Sequence, residues 1–304
     1  LKHNVSNSTF EWSWDDSPIM LPLKFEYREW NAVHIAFFLA EYSGSTVNIM
    51  HVNSVIDSSE AREKFLNKLD HIATDLKVKY TVHCIGEKSV EPSITEIANA
   101  IISESEKLGS QVIVMAAHRE SFFREFFGRT SDKVTRKSNR NVILVETPRP
   151  IINLPKAPSK ILIPILRDEY DPSPYIVAAA LSSTATIANS ELVVAKIMCL
   201  PPTIPLDAVN TSKSLRNLEQ NFSYNVVSSI KNLGRPFTPK VLPVRDIGKD
   251  VNNYATEIKA DIIILSSPKP SGFHKFLPRE EYDIVGNATC IVLVVFPKTQ
   301  KIVS

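Results

Sequence analysis

The sequence predicts an α/β protein built from two doubly wound halves, each containing a five-stranded parallel sheet. Short apolar runs alternate with longer segments in which apolar residues recur every three or four positions, a pattern typical of strands alternating with helices. The order of these segments then repeats after about 140–150 residues, which is the size of a whole domain. Strands that alternate with helices require crossover connections and therefore a parallel sheet.

The first half is predicted to contain five strands and four helices. The third helix has the clearest signals, because Ser93 and Glu96 match a capping box at its start and Gly109 follows its end. The predicted strands are 18–25, 46–52, 80–85, 111–118 and 141–146, and the predicted helices are 31–43, 58–77, 93–108 and 129–138.

The second half repeats this order after a segment rich in proline. We expect residues 149–158, with three prolines in ten residues, to be a linker between a first domain at 17–148 and a second at 159–298. The predicted strands are 160–166, 191–197, 240–244, 261–267 and 290–296, and the predicted helices are 174–188, 213–233, 249–259 and 280–286.

The last strand of each half is strongly apolar and is expected at a sheet edge, where an uncovered strand invites pairing. Pairing of strand 141–146 with strand 290–296 would cover both edges within one chain and give a pseudo-dimer. A homodimer through a second chain is the other way to cover them.

Composition excludes several classes of function. A net charge of +2 offers no electrostatic case for a nucleic-acid partner.

The cysteines, Cys84, Cys199 and Cys290, are odd in number and far apart, which favours the reducing cytoplasm. The isolated glycines form neither a dinucleotide-binding nor a P-loop motif. Because the chain begins with Leu1 and not with Met, we expect it to be a piece of a longer polypeptide.

Several segments resemble the universal stress protein family. The segments "IMLPLK" and "KILIPIL" are similar to the opening strand of that family, and "VNIMHV" is similar to its second strand. The segment "GRTSDKVTRKSNRNVILV" resembles its most recognisable motif. The resemblance covers residues 17–148 and, more weakly, 159–298, and it implies an adenine nucleotide alpha hydrolase-like fold in each half.

The resemblance also implies a ligand site in the first half, but with altered residues. Members that bind ATP carry G-x-x-G, a spacer and then G-[S/T], since glycines let backbone N–H groups approach phosphates. Here Ala116 and Arg119 replace the paired glycines, Gly128 is retained, Arg129 follows it, and Lys24 replaces an aspartate. The candidate site residues are Pro22, Lys24, Val52, Ala116, His118, Arg119, Gly128, Arg129, Thr130 and Ser131.

The second half departs further from the motif. Ser266 and Lys269 stand at the paired glycine positions, Leu166 stands at the aspartate position, and Pro278, which has no N–H, stands at the last glycine position. We therefore expect neither half to hold ATP in the manner of the family and expect no cofactor. ATP or another adenine nucleotide in the first half only stays an alternative, as does an anion such as a cyclic dinucleotide held by basic side chains.

Other candidate residues are aromatic or ionisable. The loop phenylalanines either cap the end of the sheet or form a surface for a partner. His51 and His83 have no ligand at metal spacing, so no metal site is predicted, and no motif points to catalysis. The loop phenylalanines are Phe122, Phe123, Phe126, Phe127, Phe273 and Phe276.

The second half also resembles domains attached to the cytosolic end of amino-acid permeases, with "LPPTIPL" after its second strand. We therefore predict a non-catalytic regulatory module in the cytoplasm, at the cytosolic face of an archaeal or bacterial transporter such as an amino-acid permease or a cation antiporter. The alternative is a free-standing stress-response protein that binds a nucleotide in its first half.

Overall fold

The computed structural model describes most of the two predicted halves. Strands β1 to β10 are Ile19–Pro22, Val47–Val52, Tyr80–Ile85, Val112–Ala117, Asn141–Glu146, Lys160–Ile165, Glu191–Cys199, Thr238–Val244, Ile262–Ser266 and Ile291–Phe296. Helices α1 to α7 are Trp30–Ser43, Ser59–Leu76, Ile94–Lys107, Arg129–Lys137, Ser173–Leu181, Ile247–Glu257 and Arg279–Asn287. The described residues are 12, 14–54, 58–87, 91–117, 129–147, 158–167, 171–184, 190–203, 217, 220–222, 235–270 and 277–298.

The strands form one ten-stranded sheet in the order β3-β2-β1-β4-β5-β10-β9-β6-β7-β8. All neighbours are parallel except β5 and β10, which run antiparallel. The second half thus repeats the strand order of the first, and an approximate two-fold axis passes between β5 and β10. The predicted fold class is confirmed, and the two apolar edges are covered by each other.

The pairing between the halves is buried as well as hydrogen-bonded. Leu144 lies opposite Val294 in the register of β5 and β10, and neither residue is exposed to solvent. Successive residues of β5 point to opposite faces of the sheet, so Ile143 and Val145 enter one core while Val142 and Leu144 enter the other. The strand is apolar along its whole central part because both of its faces are covered.

Helices cover both faces of the sheet. Helices α1, α2 and α5 pack on one face, where α1 of the first half contacts α5 of the second half. Helices α3, α4, α6 and α7 pack on the other face. The indole N–H of Trp14 donates to the backbone carbonyl of Ile176 at 3.3 Å, so a hydrogen bond joins the halves beside the α1–α5 contact.

Several element ends differ from the sequence prediction. Strand β1 ends at Pro22, short of the predicted residue 25, and Phe25 then takes a left-handed conformation with φ of 63°. Helix α5 ends at Leu181, and the end of the predicted helix 174–188 lies outside the described residues. Most of helix 213–233 and nearly all of linker 149–158 also lie outside them, so the two domain boundaries stay predictions.

Helix α3 begins as its sequence predicts. The hydroxyl of Ser93 accepts from the backbone N–H of Glu96 at 3.2 Å, and the Glu96 carboxylate accepts from the N–H of Ser93 at 2.8 Å. Gly109 follows the helix with φ of 64°, a conformation that glycine adopts without strain. Between these two ends, α3 packs against α4 and β2.

Candidate ligand-binding cleft of the first half

A cavity of about 250 Å³ opens at the carboxyl ends of β1, β2 and β4. It lies beside the starts of α3 and α4, where the strand order of the first half reverses between β1 and β4. Open α/β sheets bind their ligands at this kind of switch point, because the flanking helices leave on opposite sides and a crevice remains between them. We call this cavity the first-half cleft.

The structure brings most of the predicted site residues together at this cleft. Its lining includes Pro22, Lys24, Val52, Ala116, Arg129, Thr130 and Ser131. The other predicted site residues, His118, Arg119 and Gly128, lie outside the described residues, as do the loop phenylalanines. Whether this set of residues binds a ligand stays a prediction.

The start of α4 gives the cleft its positive character. Arg129, Thr130 and Ser131 form the first turn of α4, where backbone N–H groups lack partners within the helix and the helix dipole favours an anion. Arg129 is exposed, and the exposed Lys24 lies across the cleft on the segment that follows β1. The cleft therefore combines two cationic side chains with a helix N-terminus.

A buried carboxyl group, Glu29, also lines the cleft, and the sequence analysis missed it. Only 4% of Glu29 is exposed, and its carboxylate accepts from the backbone N–H of Lys24 at 3.0 Å and of Glu26 at 2.8 Å. Burial raises the pKa of Glu29 to about 7, although the two N–H groups act in the opposite direction. The pattern E-x-x-E at 26–29 is a capping-box pattern and was the available signal.

The remaining wall of the cleft is apolar. Ile94, Ile97 and Ile101 of α3 face Met50 of β2 and Met115 of β4. Ile101 is buried at 2% exposure, while Ile94 and Ile97 are only partly buried. The cleft thus offers an apolar wall beside one ionisable carboxyl group and one cationic end.

In the second half, the residues at the corresponding motif positions contact other parts of the protein. The Ser266 hydroxyl donates to the Asp171 carboxylate, and the Lys269 ammonium group donates to the backbone carbonyls of Ser138, at 2.6 Å, and of Arg140. Burial, with a further contribution from Lys298, lowers the pKa of Lys269 to about 8. Lys269 therefore crosses from the second half to the turn that follows α4 in the first half.

Pro278 and Leu166 complete the predicted set of the second half. Pro278 immediately precedes α7 and provides no side-chain cap, while Leu166 is partly buried after β6. Whether the second half binds a nucleotide stays a prediction.

The histidines on the neighbouring strands β2 and β3 have structural surroundings. His51 is 3% exposed, and its Nδ1 lies 2.8 Å from the carbonyl of Leu23. His83 lies on the edge strand β3, with Nδ1 3.8 Å from the Glu104 carboxylate. Within the described part of the chain, no group of three or more His, Cys, Asp or Glu side chains is arranged to hold a metal ion.

Comparison with known proteins agrees with this architecture. Residues 17–146 match the model of the universal stress protein family, which identifies a domain of that family in the first half. No curated protein sequence matches the chain. Among the helices that the structure describes, none combines the length and the apolar character needed to span a bilayer.

Solved structures are similar to nearly the whole chain. A universal stress protein from Archaeoglobus fulgidus is 13% identical with a TM-score of 0.59, and the match covers 95% of this chain and 99% of that one. A functionally unknown protein from Pseudomonas aeruginosa is also 13% identical with a TM-score of 0.59, over 93% of both chains. The cytoplasmic domain of a prokaryotic cation chloride cotransporter is 13% identical with a TM-score of 0.53, over 95% of this chain and 98% of that one. At this level of identity, the likeness establishes the fold alone.

Proposed function

We propose that the chain is a non-catalytic regulatory module that forms the cytosolic part of a prokaryotic membrane transporter. The observation that carries the proposal is the antiparallel pairing of β5 with β10, which joins two similar halves into one continuous sheet. The fold of the cotransporter cytoplasmic domain, which is similar along 95% of this chain, supports the same assignment. In a protein with two paired halves, binding of a ligand or of a partner can change how the halves pack against each other.

Helix α4 is the element that we propose carries the response. Its first turn, with Arg129 and Ser131, lines the first-half cleft, and the turn after its last residue accepts the ammonium group of Lys269 from the second half. A ligand that binds at the start of α4 therefore contacts a helix whose opposite end is hydrogen-bonded to Lys269 of the second half. The outcome is a change in the packing between the halves, which an attached transporter would sense.

Fractionation of source cells tests the transporter assignment. An antibody against the chain is expected to detect a carbonate-resistant membrane protein that is clearly larger than 304 residues. Detection of a soluble product of the size of this chain alone would overturn the assignment.

The absence of catalysis is tested by incubation with ATP and Mg²⁺. Phosphate release is expected to equal the rate without protein, because the proposed role needs binding and no bond cleavage. The non-catalytic assignment would be contradicted if the wild type released phosphate faster than that rate and the Ser131→Ala variant did not.

A second candidate function is nucleotide binding by a free-standing stress-response protein, and the composition of the first-half cleft favours it. The cleft offers an apolar wall for a base and places Arg129 and Lys24 near the start of α4 for an anion. Under this alternative, calorimetry with AMP, ATP or a cyclic dinucleotide gives micromolar binding that Arg129→Glu abolishes. The matched control is Arg279→Glu, at the first residue of α7 in the second half, which leaves the binding intact. If none of the three ligands gives a heat of binding, this candidate function is rejected.

A further inference from the structure

We propose that strand β3 is the surface through which two copies of this chain associate, and that their β3 strands pair antiparallel about a two-fold axis. Strands β3 and β8 lie at the two ends of the ten-stranded sheet, so each has one side that no other strand of the described sheet covers. The inference goes beyond the proposed function, because it depends neither on a transporter nor on a ligand in the first-half cleft.

The uncovered side of β3 presents backbone groups that are able to pair with another strand. The carbonyl of Ile85 accepts from the N–H of Asn53, which follows β2, at 2.8 Å. In a parallel pair, alternate residues direct both of their backbone groups to the same neighbour, so Tyr80, Val82 and Cys84 direct theirs away from β2. Within the part of the chain that the structure describes, the N–H groups of these three residues make no hydrogen bond. This edge is therefore open to a further strand.

The other edge strand, β8, is protected by proline. The carbonyl of Val244 accepts from the N–H of Leu200, which follows β7, at 2.8 Å, so residues 239, 241 and 243 direct their backbone groups away from β7. Two of these residues are Pro239 and Pro243, which have no N–H to donate. Proline on an outer strand is a common protection against unwanted pairing, and β3 contains none.

Pro239 stands in β8 where Val82 stands in β3. Leu21 of β1 and Ile163 of β6 correspond, because each lies two residues after the residue that pairs with the first residue of β4 or of β9. The second half thus accommodates a proline at the position of Val82, and the same substitution in β3 is compatible with the fold. The registers that connect the two positions are Leu21 to Ile49 to Val82 and Ile163 to Val194 to Pro239.

The prolines of β8 favour one of the two ways in which the sheet could extend. Pairing of β3 with β8 of the next chain is heterologous and would continue as an open fibre. Pro239 and Pro243 oppose this growth because they remove donors from β8. Antiparallel pairing of β3 with β3 of a second copy uses one surface twice and closes after two chains. The halves of one chain already pair in this way through β5 and β10, so a second copy is the partner that β3 fits.

The side chains of β3 also suit a two-fold axis at Val82. Thr81 then lies opposite His83 of the second copy, and a hydroxyl group and an imidazole are able to form a hydrogen bond across the strands. Lys77, which precedes β3, comes beside Glu87 of the second copy, which follows β3, and both residues are exposed. Opposite charges therefore meet at each end of the pairing, while β3 itself contains no lysine, arginine, aspartate or glutamate.

Sedimentation equilibrium over about 1–200 μM tests the association of the wild type. We expect the average mass to rise from that of one chain to that of two. Val82→Pro removes an outward N–H group from each copy and should weaken the association at least about tenfold. Ser59→Pro is the matched control, because it places a proline at the exposed first residue of α2, where proline is tolerated, and should associate as the wild type does.

A cross-linking experiment keeps the proposal testable if Val82→Pro is poorly folded. The axis places residue 82 opposite itself, and the Cα atoms of a hydrogen-bonded antiparallel pair lie about 5.5 Å apart, a distance that a disulfide spans. In a chain that carries Cys84→Ser, Val82→Cys should therefore form a disulfide-linked dimer on mild oxidation. Thr238→Cys, on the other edge strand of the same background, should not.

Three results would each overturn the proposal. The first is a wild type that keeps the mass of one chain over the whole concentration range, which would leave β3 to a strand of another protein. The second is a Val82→Pro variant that associates as tightly as Ser59→Pro. The third is a Val82→Cys variant that forms no more cross-linked dimer than Thr238→Cys.

Discussion

Replacing Glu29 with glutamine should remove a pH dependence of folding stability that this one carboxyl group causes. Glu29 is 4% exposed, and burial raises its pKa from 4.5 to about 7. Glutamine has nearly the same shape and keeps an oxygen in place of Oε2, which accepts from the N–H groups of both Lys24 and Glu26. Unlike glutamate, it stays neutral at every pH, so it reproduces the protonated form of Glu29.

The size and the sign follow from the two pKa values. Between pH 4.5 and about 7 the folded protein keeps a proton that the unfolded chain releases, so a rise in pH favours the unfolded chain. The stability that neutral Glu29 contributes is therefore complete below pH 4.5 and is lost as pH rises through about 7. At about 1.4 kcal/mol for each pH unit, the whole loss is about 3 kcal/mol.

Urea unfolding of the wild type and of Glu29→Gln between pH 4 and about 8 measures this difference. The stability of the variant relative to the wild type should rise by about 3 kcal/mol across that range, with most of the rise between pH 4.5 and about 7. Glu60→Gln, on the exposed surface of α2, is the control and should follow the wild type. Parallel pH profiles for the wild type and Glu29→Gln would refute the reasoning.

Three further substitutions test contacts within and between the halves. Leu144→Lys places a charge opposite Val294 in the buried β5–β10 pairing and should lower the free energy of unfolding by more than about 3 kcal/mol, measured in urea. Gly248→Ala drives a Cβ atom to 2.7 Å from that of Asp283 and should cost about 1–3 kcal/mol by the same measurement. Lys269→Met leaves two backbone carbonyls of the first half without their cationic donor and should cost about 1–3 kcal/mol, with faster amide exchange in the turn after α4.

Each of these variants has a control that introduces the same residue at an exposed place. Thr238→Lys on the edge strand β8, Asn253→Ala on α6 and Lys249→Met on α6 should each stay within about 0.5 kcal/mol of the wild type. An unfolding curve of Leu144→Lys that coincides with that of Thr238→Lys would reject the role of β5–β10 pairing in stability. Equal losses for a test variant and its control would likewise reject the corresponding contact.

The amino-acid sequence alone predicted the elements and their order because the signals for them are local. The apolar run at 141–146 predicts a buried strand, and Ser93 with Glu96 predicts the start of α3, without knowledge of any distant residue. The sequence also left two ways to cover the two apolar edge strands, which are pairing with each other within one chain and pairing with a second chain. The choice between them, antiparallel pairing of β5 with β10, is visible only in the assembled sheet.

The tertiary structure decided which ionisable groups are buried and which residues they contact. Arg167 and Glu281 lie 114 positions apart, and Lys269 lies more than a hundred positions from the carbonyls that it contacts. Glu29 has an ordinary capping pattern around it, and its raised pKa arises only when the chain folds over it. The physical reason is that hydrophobic periodicity and capping act over a few neighbouring residues. Desolvation and ion pairing depend on what the fold brings within a few ångströms.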